Sequence, residues 1–67
     1  MDIKINTEFI KLDSLLKFAN TVYSGGEAKT VIAEGMVKVN GETEIRRGRK
    51  IYKGDTVTFE EQIINVC

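Results

Sequence analysis

Arg46-Arg47-Gly48-Arg49-Lys50 puts four cationic side chains into five residues. Three of them are arginine, whose planar guanidinium can grip a phosphate through two parallel N–H donors and can stack on a flat ring. Such a run is often only a solvated loop. Its composition also suits phosphate contact, and Lys53 extends it. Lys11 and Lys29 place two more cations elsewhere along the chain. Other reactive types are scarce, with no histidine and one cysteine, Cys67. That excludes Cys/His zinc sites and Ser-His or Cys-His nucleophile pairs. Gly25-Gly26 could bring backbone amides to a phosphate, but the lysine and threonine that follow do not stand at the spacing of a nucleotide-binding loop. Asp55 reads as a turn residue. A chain of 67 residues seldom encloses a catalytic pocket, so no enzyme activity, cofactor, metal or small-molecule substrate is expected.

The charge balance supports the same emphasis. Ten basic and ten acidic residues sum to zero. Residues 29–53 nevertheless hold seven basic against three acidic residues, a net +4, and the rest of the chain carries −4. A small protein polarised in this way attracts polyanions on one face and stays soluble through the other. The hydrophobic share, 42%, is too high for a disordered chain without net charge. No apolar run approaches the ~20 residues of a membrane span. Met1-Asp2-Ile3-Lys4 opens polar, unlike a signal peptide, and a lone cysteine cannot staple the fold. A cytoplasmic protein made of one domain over residues 1–67 is expected.

The elements that must position these cations follow from hydrophobic spacing. Ile3 and Ile5 alternate as in a short strand over 2–5. Leu12, Leu15, Leu16, Ala19 and Val22 recur at three- and four-residue spacing, one stripe of a helix from Ile10 to about Val22. Ser24-Gly25-Gly26-Glu27 is a capping box that starts a second helix running to Glu34. Gly35 suits its left-handed end. Val37 and Val39 form a strand, and Asn40-Gly41 marks a type I′ hairpin turn. The return strand is expected over Glu42–Ile45, followed by the basic run as an exposed loop. Gly54-Asp55 marks a further turn. Strands are expected at Thr56–Phe59 and Ile63–Val66. The order β-α-α-β-β-β-β is an α+β fold, two helices packed on a small, mostly antiparallel sheet. Leu12, Leu16, Ala28, Val31, Ile32, Val37, Val39, Ile45, Val57 and Phe59 should form the core. Phe9 and Phe18 should join it, with Tyr23 packed in the turn between helices and Tyr52 half-buried beside Ile51.

Several of these signals stand in one register. Lys11-Leu12-Asp13 and Leu16 are followed by Ser24, Ala28, Ile32 and Gly35, then by Val37-Lys38-Val39-Asn40-Gly41 and Gly54-Asp55. This pattern resembles the S4 RNA-binding domain, named after a protein of the small ribosomal subunit. The match covers about residues 8–59. The basic loop and the extra N-terminal strand look most like the small stand-alone bacterial members, the YaaA-like proteins. The resemblance implies an αL-type two-helix motif that binds RNA, with ribosomal RNA or a ribosomal particle as partner and no membrane. By position, Lys11 stands where the family has arginine before Leu-Asp. Lys29 follows Ala28, where the family often carries a basic residue. Gly25 stands in place of the arginine of the family's Ser-Arg pair, so that guanidinium is missing here. The expected RNA-binding set is Lys11, Lys29, Arg46, Arg47, Arg49, Lys50 and Lys53. The helix N-terminal ends and the basic loop should converge, offering phosphates both positive charge and free amides.

Two other readings remain. Val-x-Val-Asn-Gly hairpins and a late Gly-Asp turn also occur in β-grasp sulfur carriers and ubiquitin-like adaptors. A carrier needs a C-terminal Gly-Gly, whereas Ile64-Asn65-Val66-Cys67 ends this sequence. A protein-interaction adaptor that adds an edge strand to a partner is the alternative.

Overall fold

The computed structural model describes residues 1–67. Its elements are β1 (Asp2–Ile3), β2 (Ile10–Lys11), α1 (Leu12–Phe18), α2 (Gly25–Ala33), β3 (Val37–Val39), β4 (Glu42–Thr43), β5 (Lys50–Ile51), β6 (Thr56–Phe59) and β7 (Gln62–Val66). Five strands form one sheet in the order β1-β7-β6-β3-β4. Its pairings are antiparallel except β1 with β7, which is parallel. The expected α+β arrangement of two helices and a mostly antiparallel sheet is present. Two short strands join it that hydrophobic alternation alone did not reveal. These are β2 and β5, which pair antiparallel as a separate ribbon.

Alternation explains the sheet. Val57 and Phe59 of β6 face the core opposite Val39 and Val37 of β3, while the residues between them turn outward. Ile64 and Val66 continue that inner face on β7. Against it lie Leu12, Leu15 and Leu16 of α1 and Ala28, Val31 and Ile32 of α2. Ile10 and Ile51, directly opposite in the ribbon, point the same way: Ile51 is buried and Ile10 packs against the cluster.

Both helices close on left-handed residues. At α2 the Gly35 amide donates to the Ile32 carbonyl and the Met36 amide to Val31, with Gly35 at φ 76°. This is the Schellman pattern. The same geometry ends α1 sooner than hydrophobic spacing suggests. Asn20 takes φ 58° and the Thr21 amide donates to the Leu16 carbonyl. The helix therefore stops at Phe18 rather than Val22, although Ala19 and Val22 remain buried.

Two expected core residues, Phe18 and Ile45, are exposed, and Tyr23 does not pack in the turn between helices. Phe18 is 62% exposed, because it falls on the Ser14 side of α1, beside rather than within the leucine stripe. Its ring lines an open groove with Ile10, Ser14 and Lys17. Tyr23 is 96% exposed in the connection between helices. Ile45 is 64% exposed because the hairpin register has the opposite parity. Asn40 (φ 51°) and Gly41 (φ 86°) make a two-residue turn that pairs Val39 with Glu42 and Lys38 with Thr43. Opposite residues share a face. The next core-facing position on the return is therefore Glu44, across from Val37, and its amide donates to the Val37 carbonyl.

Candidate nucleic-acid interface

Glu44 is the one buried charged residue, 5% exposed. A carboxylate on the core side of a sheet edge needs compensation, and the basic loop supplies it. Arg46 donates from Nε to Oε2 and from Nη2 to Oε1, both at 2.9 Å, and its backbone amide reaches Oε2 at 3.0 Å. Arg49 Nη1 donates to the same Oε1 at 2.9 Å. The hydrogen bonds from Arg46, then those from Arg49, hold the Glu44 carboxyl well below the usual carboxylate range, against the opposing effect of its burial. Reciprocally, the bonded carboxylate raises the Arg46 guanidinium above its ordinary value. The loop is exposed, as expected, and two of its arginines also fold it onto a buried acid.

The loop backbone has a second structural task. Helix α1 has no side-chain N-cap; Lys11 occupies the cap position without one. Its first amides are met from across the chain. The Leu12 amide donates to the Arg49 carbonyl at 2.9 Å and the Asp13 amide to the Arg47 carbonyl at 3.1 Å. The Ser14 amide is taken by Asp13 Oδ1. The amides expected to be free for phosphate at this helix are therefore satisfied within the fold. The same bonds set the loop against the start of α1, which brings Arg47, Lys50 and Lys11 into one neighbourhood.

Helix α2 starts differently. Ser24 Oγ accepts from the Glu27 amide at 3.2 Å, and Glu27 Oε1 reaches back to the Tyr23 amide at 2.6 Å. That is the expected capping box with its return bond displaced by one residue.

The remaining cations can now be placed. Arg47 is exposed and makes no ion pair. Lys11 and Lys50 face each other directly across the β2–β5 ribbon. Neither reaches a carboxylate within salt-bridge distance. Lys53 is exposed in the turn after β5, which Asp55 closes by accepting from the Tyr52 amide at 2.8 Å. The same Asp55 accepts from the Asn40 side chain at 3.1 Å, tying this turn to the β3–β4 hairpin. Lys29 stands on the exposed side of α2, and no hydrogen bond ties it to the loop.

The ribbon also carries aromatic side chains on the outer face. Strand alternation puts Phe9, Lys11, Lys50 and Tyr52 opposite to inward Ile10 and Ile51. Phe9 and Tyr52 rings lie 6.0 Å apart between centroids, tilted by 52°. Lys50 Nζ sits 4.8 Å from the Phe9 centroid. Sequence reading placed Phe9 in the core; it is instead half-buried on this outer face. Tyr52 is 43% exposed.

Comparison with known proteins gives consistent results. The profile described as "S4 domain" matches residues 3–67. The Bacillus subtilis (strain 168) protein named "Probable ribosome maturation protein RlbA" is 50% identical over 58 residues, which is 87% of this chain and 82% of that protein. YbcJ of Escherichia coli (strain K12) is 44% identical over 57 residues, 85% of this chain and 81% of its own. The solution structure of YbcJ, described as revealing an αL motif involved in RNA-binding, superposes with a TM-score of 0.75 at 38% identity, covering 97% of this chain and 84% of that one. A pseudouridylate synthase structure also reaches a TM-score of 0.75, at 23% identity, covering 84% of this chain and 24% of the synthase. That likeness is one of fold.

Proposed function

This chain belongs to the S4 domain family, and on that premise we propose that it is a non-catalytic RNA-binding module. Its target is structured RNA, with ribosomal RNA or a ribosomal particle in the cytoplasm as the specific partner. The naming of RlbA for ribosome maturation and the RNA-binding motif described in YbcJ support that choice. The synthase likeness, confined to about a quarter of that enzyme, lends no catalytic role.

One observation carries the reading. The loop carbonyls cap α1, so the cations beside them are held in a preformed array rather than on a loose loop. Arg47, Lys11, Lys50 and Lys53 are exposed and unpaired by acids, and they contact phosphates. Arg46 and Arg49 hold the loop in shape through Glu44 and add field; Arg46 keeps a largely exposed guanidinium. Lys29 extends the array from α2. Such a surface reads backbone shape and charge rather than base sequence.

A salt titration of binding to ribosomal RNA fragments tests this. Each neutralised phosphate adds about 0.7–0.9 to the slope of log affinity against log salt. Replacing Arg47, Lys50 and Lys53 with alanine should flatten the slope by roughly two units. Absence of binding by the unaltered protein to any structured RNA at low salt would overturn the proposal.

A further inference from the structure

Lys11 and Lys50 are the residues to explain. Like charges directly opposite in a ribbon repel, and no carboxylate offsets this pair. The neighbouring cross-strand position on the same face holds two aromatic rings, Phe9 and Tyr52. Lys50 leans over the Phe9 ring, which leaves Tyr52 as the more open of the two. A two-stranded ribbon whose outer face is half cation and half ring is poorly designed as plain surface. It matches one ligand chemistry well: a flat base to stack and a phosphate next to it. Bases stack on aromatic side chains without regard to sequence, because each has a π-face. Strand neighbours on one face are spaced at roughly 7 Å, two residues of ~3.3–3.4 Å rise, comparable to the reach from a base to its own phosphate.

We infer that the outer face of the β2–β5 ribbon binds an unpaired nucleotide, its base against Tyr52 and its phosphate between Lys11 and Lys50. This rests on the RNA-binding reading and sharpens it. The RNA must present a loop, bulge or end beside the helical part that meets Arg47. The ribbon is pinned through the Leu12–Arg49 bond to the α1 start, so stacked base and helix phosphates are read from one rigid corner. Inward Ile10 and Ile51 anchor the same two strands in the core, so the platform exists before RNA arrives.

The test compares a stem-loop RNA with a blunt duplex of equal phosphate number. The protein contains two tyrosines and no tryptophan, so a Tyr23→Phe background makes Tyr52 the only tyrosine emitter. The stem-loop should quench that emission and bind more tightly, while the duplex should leave it unchanged. Tyr52→Ala should lower stem-loop affinity roughly five- to hundredfold, the range for loss of one stacked base. It should leave duplex affinity and the salt slope in place, and Tyr52→Phe should restore binding. Lys11→Ala should flatten the slope for the stem-loop alone by about 0.7. Thermal melts of both Tyr52 variants guard against a folding defect; Tyr52→Phe keeps the ring and its packing on Phe9. Equal binding of both RNAs, with no quenching and no effect of Tyr52→Ala, would overturn the nucleotide platform and leave the RNA-binding reading intact. Failure of both RNAs to bind would overturn both.

Discussion

The two helices begin in opposite ways. Helix α2 is capped from within: Ser24 and Glu27, three residues apart, take the amides of Glu27 and Tyr23. Helix α1 is capped from far away, by carbonyls of Arg47 and Arg49. A local cap makes a helix start self-sufficient and leaves its surroundings free to vary. A remote cap couples the helix to whatever supplies it. Here the supplier is the basic loop, so the cationic surface and the first helix stand or fall together. The loop's side chains divide accordingly, Arg46 and Arg49 turning in to Glu44 while Arg47 and Lys50 turn out.

The comparison holds only if both helices share one core beneath their different starts. Leu16 of α1 and Ile32 of α2 are both fully buried. Truncating either to alanine should cost about 2–5 kcal/mol, the range for large-to-small changes in a core. That is a large part of the stability of a domain this small. Denaturant melts should show losses of similar size at both positions. A midpoint near that of the unaltered protein for one of them would break the symmetry of the core.

Removing the inward arginines attacks the remote cap. Arg46→Ala with Arg49→Ala strips the Glu44 carboxylate of every side-chain partner and leaves it only the backbone amide of residue 46. The melting temperature should fall, by less than for the core truncations, because Arg46 is solvent-exposed and such pairs are screened. The pH dependence gives a cleaner signature. The folded state holds the Glu44 carboxyl below its unfolded value. Its contribution is therefore complete above the unfolded carboxylate range and is lost as pH falls through the lower folded value. Stability of the unaltered protein should decline as pH drops below about 4.5. Thermal melts of the double variant should show a shallower acid decline, and an unchanged one would mean Glu44 is not the group responsible.

On the other helix, Ser24→Ala should cost about 1 kcal/mol, the usual worth of an N-cap side chain. No side chain caps α1, so no single substitution at its cap position has the same effect. Chemical denaturation of Ser24→Ala beside Lys11→Ala measures that difference directly.

How much of this was legible in the sequence follows the same division. Ser24, Glu27 and Gly35 act within a turn of each other, and their signals were readable from spacing alone. Alternation at Val37, Val39, Val57 and Phe59 placed the sheet. The remote features were hidden. Nothing local in Ile10-Lys11 or Lys50-Ile51 says that these two-residue strands pair, since each is too short for alternation to register. Glu44 was legible in principle: a two-residue Asn40-Gly41 turn pairs Val39 with Glu42, which fixes Glu44 rather than Ile45 on the inner face. Hydropathy pointed to Ile45, and register overrode it. Within the candidate site, the cations Lys11, Arg47, Lys50 and Lys53 were visible as charge. The split between structural and outward arginines depends on a buried acid that charge counting treats as one more surface glutamate. Lys29 lies on a locally capped helix, with no remote bond to the loop, and its part in the surface rests on position in the family pattern.

The smallest effect on stability is expected from the outward cations, and it separates the two halves of the loop most sharply. Arg47 and Lys11 are exposed and hold no carboxylate. The capping bonds near them come from backbone groups, the Arg47 carbonyl and the Asp13 amide, which alanine retains. Arg47→Ala with Lys11→Ala should therefore change folding stability by no more than about 0.5 kcal/mol, the usual range for surface positions. Removing Lys11 also relieves its repulsion with Lys50, so even a slight gain is compatible with the argument. On a stem-loop RNA the same pair should reduce the salt slope by roughly 1.4–1.8, two phosphates at 0.7–0.9 each. The Arg46 and Arg49 pair should show the reverse balance, a clear loss of stability with a weaker change in slope, when measured at a temperature where it remains folded. Both variants, followed by melting and by salt titration on the same RNA fragment, give four numbers. If the Arg47/Lys11 variant melts early, or the two pairs flatten the slope equally, the loop has no division of labour, and Glu44 holds its arginines too loosely to keep them from RNA.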